Sequence, residues 1–233
     1  MSEDKSVSAE VIQLFESGGG EFFTPPSVFV AKLKNIRGIL FDWDGVFNEG
    51  FKAGPEGSNF SEVDAMGTNL LRYSLWRHHQ KLPIIGIITG EDNPPAQLLA
   101  KREHFHALYF QAKNKAVVFA TFCKTHSLHA DEVLFFFDDV LDLEVARQCG
   151  ARVMIGRRAA PLLTSYAKSH GMVDYITGCS GGDHGLREGC ELIIGLLGLY
   201  DAVVGERMMF SADYQLYLAE RQEVATRVES GSH

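Results

Sequence analysis

Two aspartates separated by one residue, Asp42 and Asp44, stand at the end of the apolar run IRGILFD (36–42). Charge at such a place belongs to neither a core nor a helix. In an extended chain residues i and i+2 share a face, so both carboxylates can address one point. Taken alone, the pair could equally be two solvated or capping acids of a turn. The run PIIGIIT (83–89) ends in Thr89-Gly90-Glu91, a hydroxyl and a glycine before a new helix, where a threonine is usually a cap. The run EVLFFFD (132–138) ends in Asp138-Asp139, with Asp142 four positions after Asp138. Acids in a first helical turn are also favoured by the helix dipole. After ALYF (107–110) comes QAKNK, which puts Lys115 at a helix start, where a lysine is normally solvated.

The elements that must position these residues follow from the apolar pattern. The four runs above and ARVMIG (151–156) are short and apolar throughout, which suits strands buried on both faces of a parallel sheet. Between them lie helix-like stretches at about 64–80, 94–104, 114–126, 140–149 and 160–170, with Pro94-Pro95 and Pro161 in first turns. Strand–helix alternation predicts an α/β, doubly wound, Rossmann-like sheet. The domain is expected over 35–200. One segment breaks the alternation. Between Asp44 and Asp64, two short alternating pieces flank Gly54-Pro55-Glu56-Gly57, which predicts a β-hairpin flap over 46–63. Residues 1–34 read as an N-terminal extension with a short helix at Ala9–Glu16. Residues 201–230 read as a helical tail, with one amphipathic helix over 206–228, and 231–233 as a tag remnant. A short strand, DYIT, precedes a glycine-rich loop (178–185) and a helix at about Leu186–Leu197.

Composition narrows the classes. The chain has 233 residues and a formal net charge of −8, which argues against a nucleic-acid binder, since that task needs a basic stripe. The four cysteines, at 123, 149, 179 and 190, form no CxxC pair, so reduced thiols and a cytoplasmic setting are expected. There is no run of 18 apolar residues, so no membrane span is expected, and MSEDKSVSAE has no signal-like hydrophobic stretch.

Taken together, the strand ends converge. In an open parallel sheet, ligands bind at the carboxyl ends of the strands, and every residue singled out above lies at one. Several carboxylates in one cleft repel unless a cation sits among them. A few hard oxygen ligands suit Mg²⁺, and a magnesium ion with a lysine can offset the charge of a phosphoryl group.

In their order along the chain, FDWDGV, ITG, a lysine opening a helix and DDxxD resemble the four motifs of the haloacid dehalogenase superfamily, over about 36–197. Within it, the chain is similar to small, nearly capless phosphatases of 3-deoxy-octulosonate 8-phosphate and related sugar acids. DGVFNEG leads straight into the flap, Val63-Asp64-Ala65-Met66-Gly67 closes it, the lysine sits in QAKNK, and Gly181 to Glu188 resembles the family's terminal glycine loop.

The resemblance implies a Mg²⁺-dependent phosphatase in which Asp42 attacks phosphorus and Asp44 serves as acid and then base. The metal would be held by Asp42, Asp138 and the backbone carbonyl of Asp44, with Asp139 and Asp142 orienting it. Thr89 and Lys115 would hold the phosphoryl group, and Gly90, Glu91 and Arg187 the rest of a sugar-acid phosphate. A homotetramer is implied, with the loop 178–188 entering a neighbour's cleft. Three departures matter. Phe137 replaces a usual glycine, which predicts a changed strand exit. Glu91 stands where octulosonate phosphatases carry arginine and looks more like the nonulosonate 9-phosphate branch. Val63 replaces a second arginine. The non-enzyme alternative is a degenerate sugar-phosphate-binding or oligomerisation module.

Overall fold

The computed structural model describes residues 3–231, with side chains from residue 9. In chain order the strands are β1 (Glu21–Phe22), β2 (Gly38–Phe41), β3 (Ile84–Ile88), β4 (Ala107–Phe110), β5 (Val133–Phe137), β6 (Ala151–Met154), β7 (Tyr175–Ile176) and β8 (Arg227–Ser230). They form one sheet in the order β1-β7-β6-β5-β2-β3-β4-β8, parallel except where β1 meets β7. The helices are α1 (Glu3–Ser17), α2 (Pro26–Leu33), α3 (Glu62–His79), α4 (Pro94–Arg102), α5 (Lys115–His126), α6 (Leu143–Ala146), α7 (Pro161–Ser169), α8 (Gly185–Leu196), α9 (Tyr200–Met209) and α10 (Ala212–Gln222).

The apolar runs are strands because both faces of the sheet are covered. Ile39, Phe41, Ile87, Leu134 and Phe136 point into a core shared with α3, α8 and α10. Their alternates Leu40, Ile88, Phe135 and Phe137 point into a second core with α5, α6 and α7. Phe137 is therefore a core residue: it stacks on Phe135 at 5.5 Å in the second core. No described helix is long and apolar enough to cross a membrane.

Three expectations are corrected. The flap over 46–63 reverses where expected, at a 3₁₀ turn over Gly54–Glu56 closed by Ala53 N–H donating to Gly57 O (3.0 Å). Its arms form no β-ladder; polar and aromatic side chains hold it instead. The N-terminal segment is part of the fold: α1 packs on α8 and β1 adds an antiparallel edge to β7. Asp174, fully buried, accepts hydrogen bonds from Lys32 (2.6 Å), Thr24 and Arg152, so α2 and β1 are tied to the sheet. The tail is not one helix. It breaks at Phe210, whose φ is +50°, and ends as β8 on the outer edge of β4. Gly231, expected to begin a tag, is buried and donates its N–H to Phe110 O (2.6 Å); residues 232–233 lie outside the described residues.

Candidate active site

The winding of the sheet reverses at β2, with β3 and β4 on one side and β5 to β7 on the other. A crevice opens over the carboxyl ends of strands at such a switch point. Asp42 follows β2 and Asp138 follows β5, its neighbour; Asp42 N–H still donates to Phe136 O (2.9 Å). Asp142 closes a one-turn 3₁₀ helix (Val140–Asp142) that follows β5. Carboxylate oxygens of Asp42, Asp138 and Asp142 all lie within 4.8 Å of one another, and all three residues are buried.

Lys115, at the first turn of α5, reaches into this group. Its Nζ donates to Asp42 Oδ1 and to Asp142 Oδ1, both at 2.6 Å. Burial alone would lower its pKa, but Asp42 and Asp142 overcome that and raise it. Burial, then Asp142, hold the Asp42 carboxyl well above the usual range against the pull of Lys115. Asp138 is pushed up to about 7, chiefly by burial, although Arg157 pairs with its Oδ2. The cluster thus carries more acid than its own cations neutralise. Asp138 Oδ1 is buried without any hydrogen-bond partner. An orphaned carboxylate oxygen in a cluster of three buried acids fits a hard divalent cation, which takes oxygen ligands and supplies the missing positive charge.

Asp44 belongs to a different part of the cleft. Trp43 drops between the two acids into the core, stacks on Phe47 at 4.8 Å and donates its indole N–H to Ser58 O (3.1 Å). That anchor brings the returning arm of the flap over Asp44. Asp44 accepts from Ser58 Oγ (2.6 Å), from Lys52 Nζ (2.7 Å) and from Asn93 Nδ2 (3.1 Å). Thr89 is fully buried at the end of β3, and its Oγ1 accepts from Asn93 Nδ2 (2.9 Å). Gly90 faces open space, and Glu91 is exposed beside it.

Close backbone approach is needed at two glycines. Gly45 has φ +87°, and a Cβ there would stand 2.5 Å from Asp138 Cγ. Gly181 rests against the backbone of Gly45, so any side chain there would meet the loop that follows Asp44. The glycine loop therefore braces the site from within the same chain. Glu188 shapes that loop by accepting from the N–H groups of Gly178 (2.9 Å) and Cys179 (2.8 Å).

The structure brings together Asp42, Asp138, Asp142 and Lys115, with Asp44 and Thr89 along one wall. Asp142, expected only to orient a metal, lies within the carboxylate triad, whereas the Asp44 carboxylate turns away to the flap. Asp139 stays outside: exposed, it accepts from the N–H of Val140 (2.6 Å) and caps the 3₁₀ turn. Arg187 is also apart. It pairs with Glu191 one helical turn on (2.6 Å), the usual i,i+4 partner, and does not reach the acids. The sequence reading missed Lys52, Ser58, Asn93 and Arg157. Only Asn93 carried a local signal, a polar residue before Pro94-Pro95, and that signal reads as a helix cap. Its side chain makes no cap bond.

No family model matches the chain. It is similar to curated 3-deoxy-D-manno-octulosonate 8-phosphate phosphatases (KdsC). The one from Escherichia coli K12 is 28% identical over 181 residues, 76% of this chain and 89% of that protein. The one from Yersinia pestis is 30% identical over 172 residues, 71% of this chain and 83% of that protein. A solved structure of a Yersinia pestis 3-deoxy-D-manno-octulosonate 8-phosphate phosphatase superposes with TM-score 0.59 and 26% identity, covering 75% of this chain and 89% of that one. The Moraxella catarrhalis phosphatase, solved with magnesium, phosphate and KDO, gives TM-score 0.61 at 23% identity, covering 76% and 96%, and so bears on the fold. The 30% identity spanning 83% of the Yersinia enzyme, over a sheet whose strand ends gather the acids and the lysine, leads to one conclusion: the chain belongs to the KdsC-like phosphatases of the haloacid dehalogenase superfamily, and is a phosphoric monoester hydrolase.

Proposed function

We propose that the protein hydrolyses a sugar-acid phosphate of octulosonate or nonulosonate type, with Mg²⁺ as cofactor, through an aspartyl-phosphate on Asp42. The observation that carries this reading is the buried acid group of Asp42, Asp138 and Asp142 bridged by Lys115, with an unpartnered Asp138 oxygen. Asp42, Asp138 and the Asp44 backbone carbonyl would hold the metal, with Asp142 beside them and Asp139 at the margin. When bound, Mg²⁺ supplies charge stabilisation to the transferring phosphoryl group. A carboxylate oxygen of Asp42 attacks phosphorus as the bond to the leaving sugar oxygen breaks, which splits one hard displacement into two. Asp44 gives its proton to that oxygen and then takes one from the attacking water. Lys115 and Thr89 hold the phosphoryl oxygens. Gly90 leaves the cleft open for the sugar, and Glu91 faces its distal end.

A degenerate binding module is disfavoured, because acids, lysine and hydroxyl are all in place. The reading keeps a homotetramer as the assembly. Phe51 and Val63 in the flap and Met66 just after it stay exposed, as an interface would require, and sedimentation at graded concentration measures it. A cytoplasmic, membrane-free setting goes with a small soluble substrate. The functional test is a screen of phosphorylated sugar acids with Mg²⁺. Turnover of an octulosonate or nonulosonate phosphate at a kcat/KM well above that of neutral sugar phosphates supports the reading; no preference for the acids would overturn it.

A further inference from the structure

We infer that Asn93 is a positioning residue, whose buried amide sets the carboxylate of Asp44 against the leaving group and locks the flap over it. Asn93 is fully buried at the start of α4, yet leaves the helix end uncapped. Its four hydrogen bonds go elsewhere. Nδ2 donates to Asp44 Oδ2 (3.1 Å) and to Thr89 Oγ1 (2.9 Å). Oδ1 accepts from Ser58 N–H (3.3 Å) and from Lys52 Nζ (3.3 Å). One planar amide thus ties the end of β3, the Asp44 carboxylate beyond β2 and both arms of the flap.

The arrangement has a geometric reason. A side-chain amide offers two donors and two acceptor sites in one rigid plane. Here the donor side faces Asp44 and Thr89, and the acceptor side faces Ser58 and Lys52. Ser58, held through its own N–H by Asn93, turns its Oγ onto Asp44 Oδ1 (2.6 Å). Asp44 is therefore gripped at one oxygen by Asn93 and at the other by a serine that Asn93 places. Gly57 fits the same contact, since a Cβ there would stand 2.8 Å from Asn93 Oδ1. Lys52 is the part able to move: its side chain is 38% exposed and its long stem comes from the flap's outer arm. A substrate entering beside Asp44 can draw Lys52 away while Asn93 and Ser58 keep the carboxylate in place.

This inference rests on the phosphatase reading, in which Asp44 delivers a proton to the leaving oxygen. It predicts a dependence on the leaving group. A sugar alkoxide needs that proton as the P–O bond breaks; acetate leaving from acetyl phosphate does not. A group displaced by about 1 Å can cost about 10²-fold in rate. Asn93→Ala should therefore lower kcat/KM, which reports only the step that releases the leaving group, by about 10²-fold on a sugar-acid phosphate, and on acetyl phosphate by at least tenfold less than that. Asn93→Asp keeps the acceptor that holds Ser58 and Lys52, loses the donors and sets a second buried carboxylate against Asp44, so it should show at least the same selectivity, with a lower Tm. Ser58→Ala should show a weaker form of it. Asp44→Asn serves as the reference. If Asp44→Asn lowers kcat/KM equally for both substrates, the acid role itself is wrong. If Asp44→Asn discriminates between leaving groups and folded Asn93→Asp does not, the positioning role is overturned. Should Asn93→Ala fail to fold, Asn93→Asp and Ser58→Ala decide.

Discussion

Replacing Gly45 by alanine should damage the acid cluster without touching any of its members. Gly45 has φ +87°, a conformation that costs an L-residue roughly 1–2 kcal/mol. The new methyl carbon would stand 2.5 Å from Asp138 Cγ, where carbon atoms rest at about 3.5–4.0 Å. Asp138 or the catalytic loop must therefore yield by about 1 Å. Movement of that size costs about 10²-fold in rate when it misplaces a catalytic group, and it also pulls apart the oxygens proposed to hold the metal. The expected result is a kcat lower by about 10²-fold, a higher Mg²⁺ concentration for half-maximal activity, and a Tm lower by roughly 2–8 °C. Gly171→Ala is the control: φ is +62° there, but nothing lies within 4 Å of the added carbon. It should lose a similar amount of stability and keep its activity. Steady-state rates across a Mg²⁺ titration, with melting curves of both variants, make the comparison. Full activity and an unchanged Mg²⁺ requirement in Gly45→Ala would refute the steric reasoning, as would equal activity losses in the two variants.

Chelation should abolish turnover, and Mg²⁺ should restore it where Zn²⁺ alone does not; full activity in excess chelator would remove the metal. Asp174→Asn should destabilise the fold by about 3–5 kcal/mol, because Lys32 and Arg152 lose a buried partner. Burial opposes ionisation of Asp174, but bonds from Arg152, Lys32 and Thr24 win and hold its pKa below the ordinary value. Its contribution is thus complete above about pH 3.9, the unfolded value, and is lost as pH falls through the lower folded value. Denaturant melts of wild type and Asp174→Asn should therefore converge toward strong acid, and a gap that widened there would contradict the sign. Glu91→Arg should weaken a nonulosonate 9-phosphate more than acetyl phosphate, and equal losses in kcat/KM would show that Glu91 does not read the sugar.

How much of this was legible in the sequence depended on the range over which each interaction acts. β4 lies where ALYF stands, and β3 and β5 lie within one residue of their apolar runs, because burial on both faces leaves a continuous local signature. The strand β8 has none. Its residues RVES carry one apolar side chain, are mostly half-exposed, and pair as a strand with the edge of β4. β1 pairs with a segment far along the chain, Glu21 with Ile176 and Phe22 with Tyr175, through two residues, too few to show a period. The flap was visible as a turn, but its arms are held by Trp43, Ser58 and Asn93, partners no alternation pattern predicts. Asp42, Asp138 and Lys115 could be found because each sits at a strand end or helix start. Arg157 and Lys52 could not, since only the folded chain brings them to Asp138 and Asp44. Phe137 was expected to alter the strand exit; its side chain continues the alternation into the core.

Covalent phosphate on Asp42 tests the central claim most directly. The protein, mixed with Mg²⁺ and a radiolabelled phosphate ester and quenched in acid, should carry label that maps to the peptide containing Asp42. Asp42→Asn, nearly isosteric but a poor nucleophile, should fold normally, take no label and lose turnover. A wild-type enzyme that turns over without ever labelling Asp42, or an Asp42→Asn variant that retains substantial activity, would contradict the account.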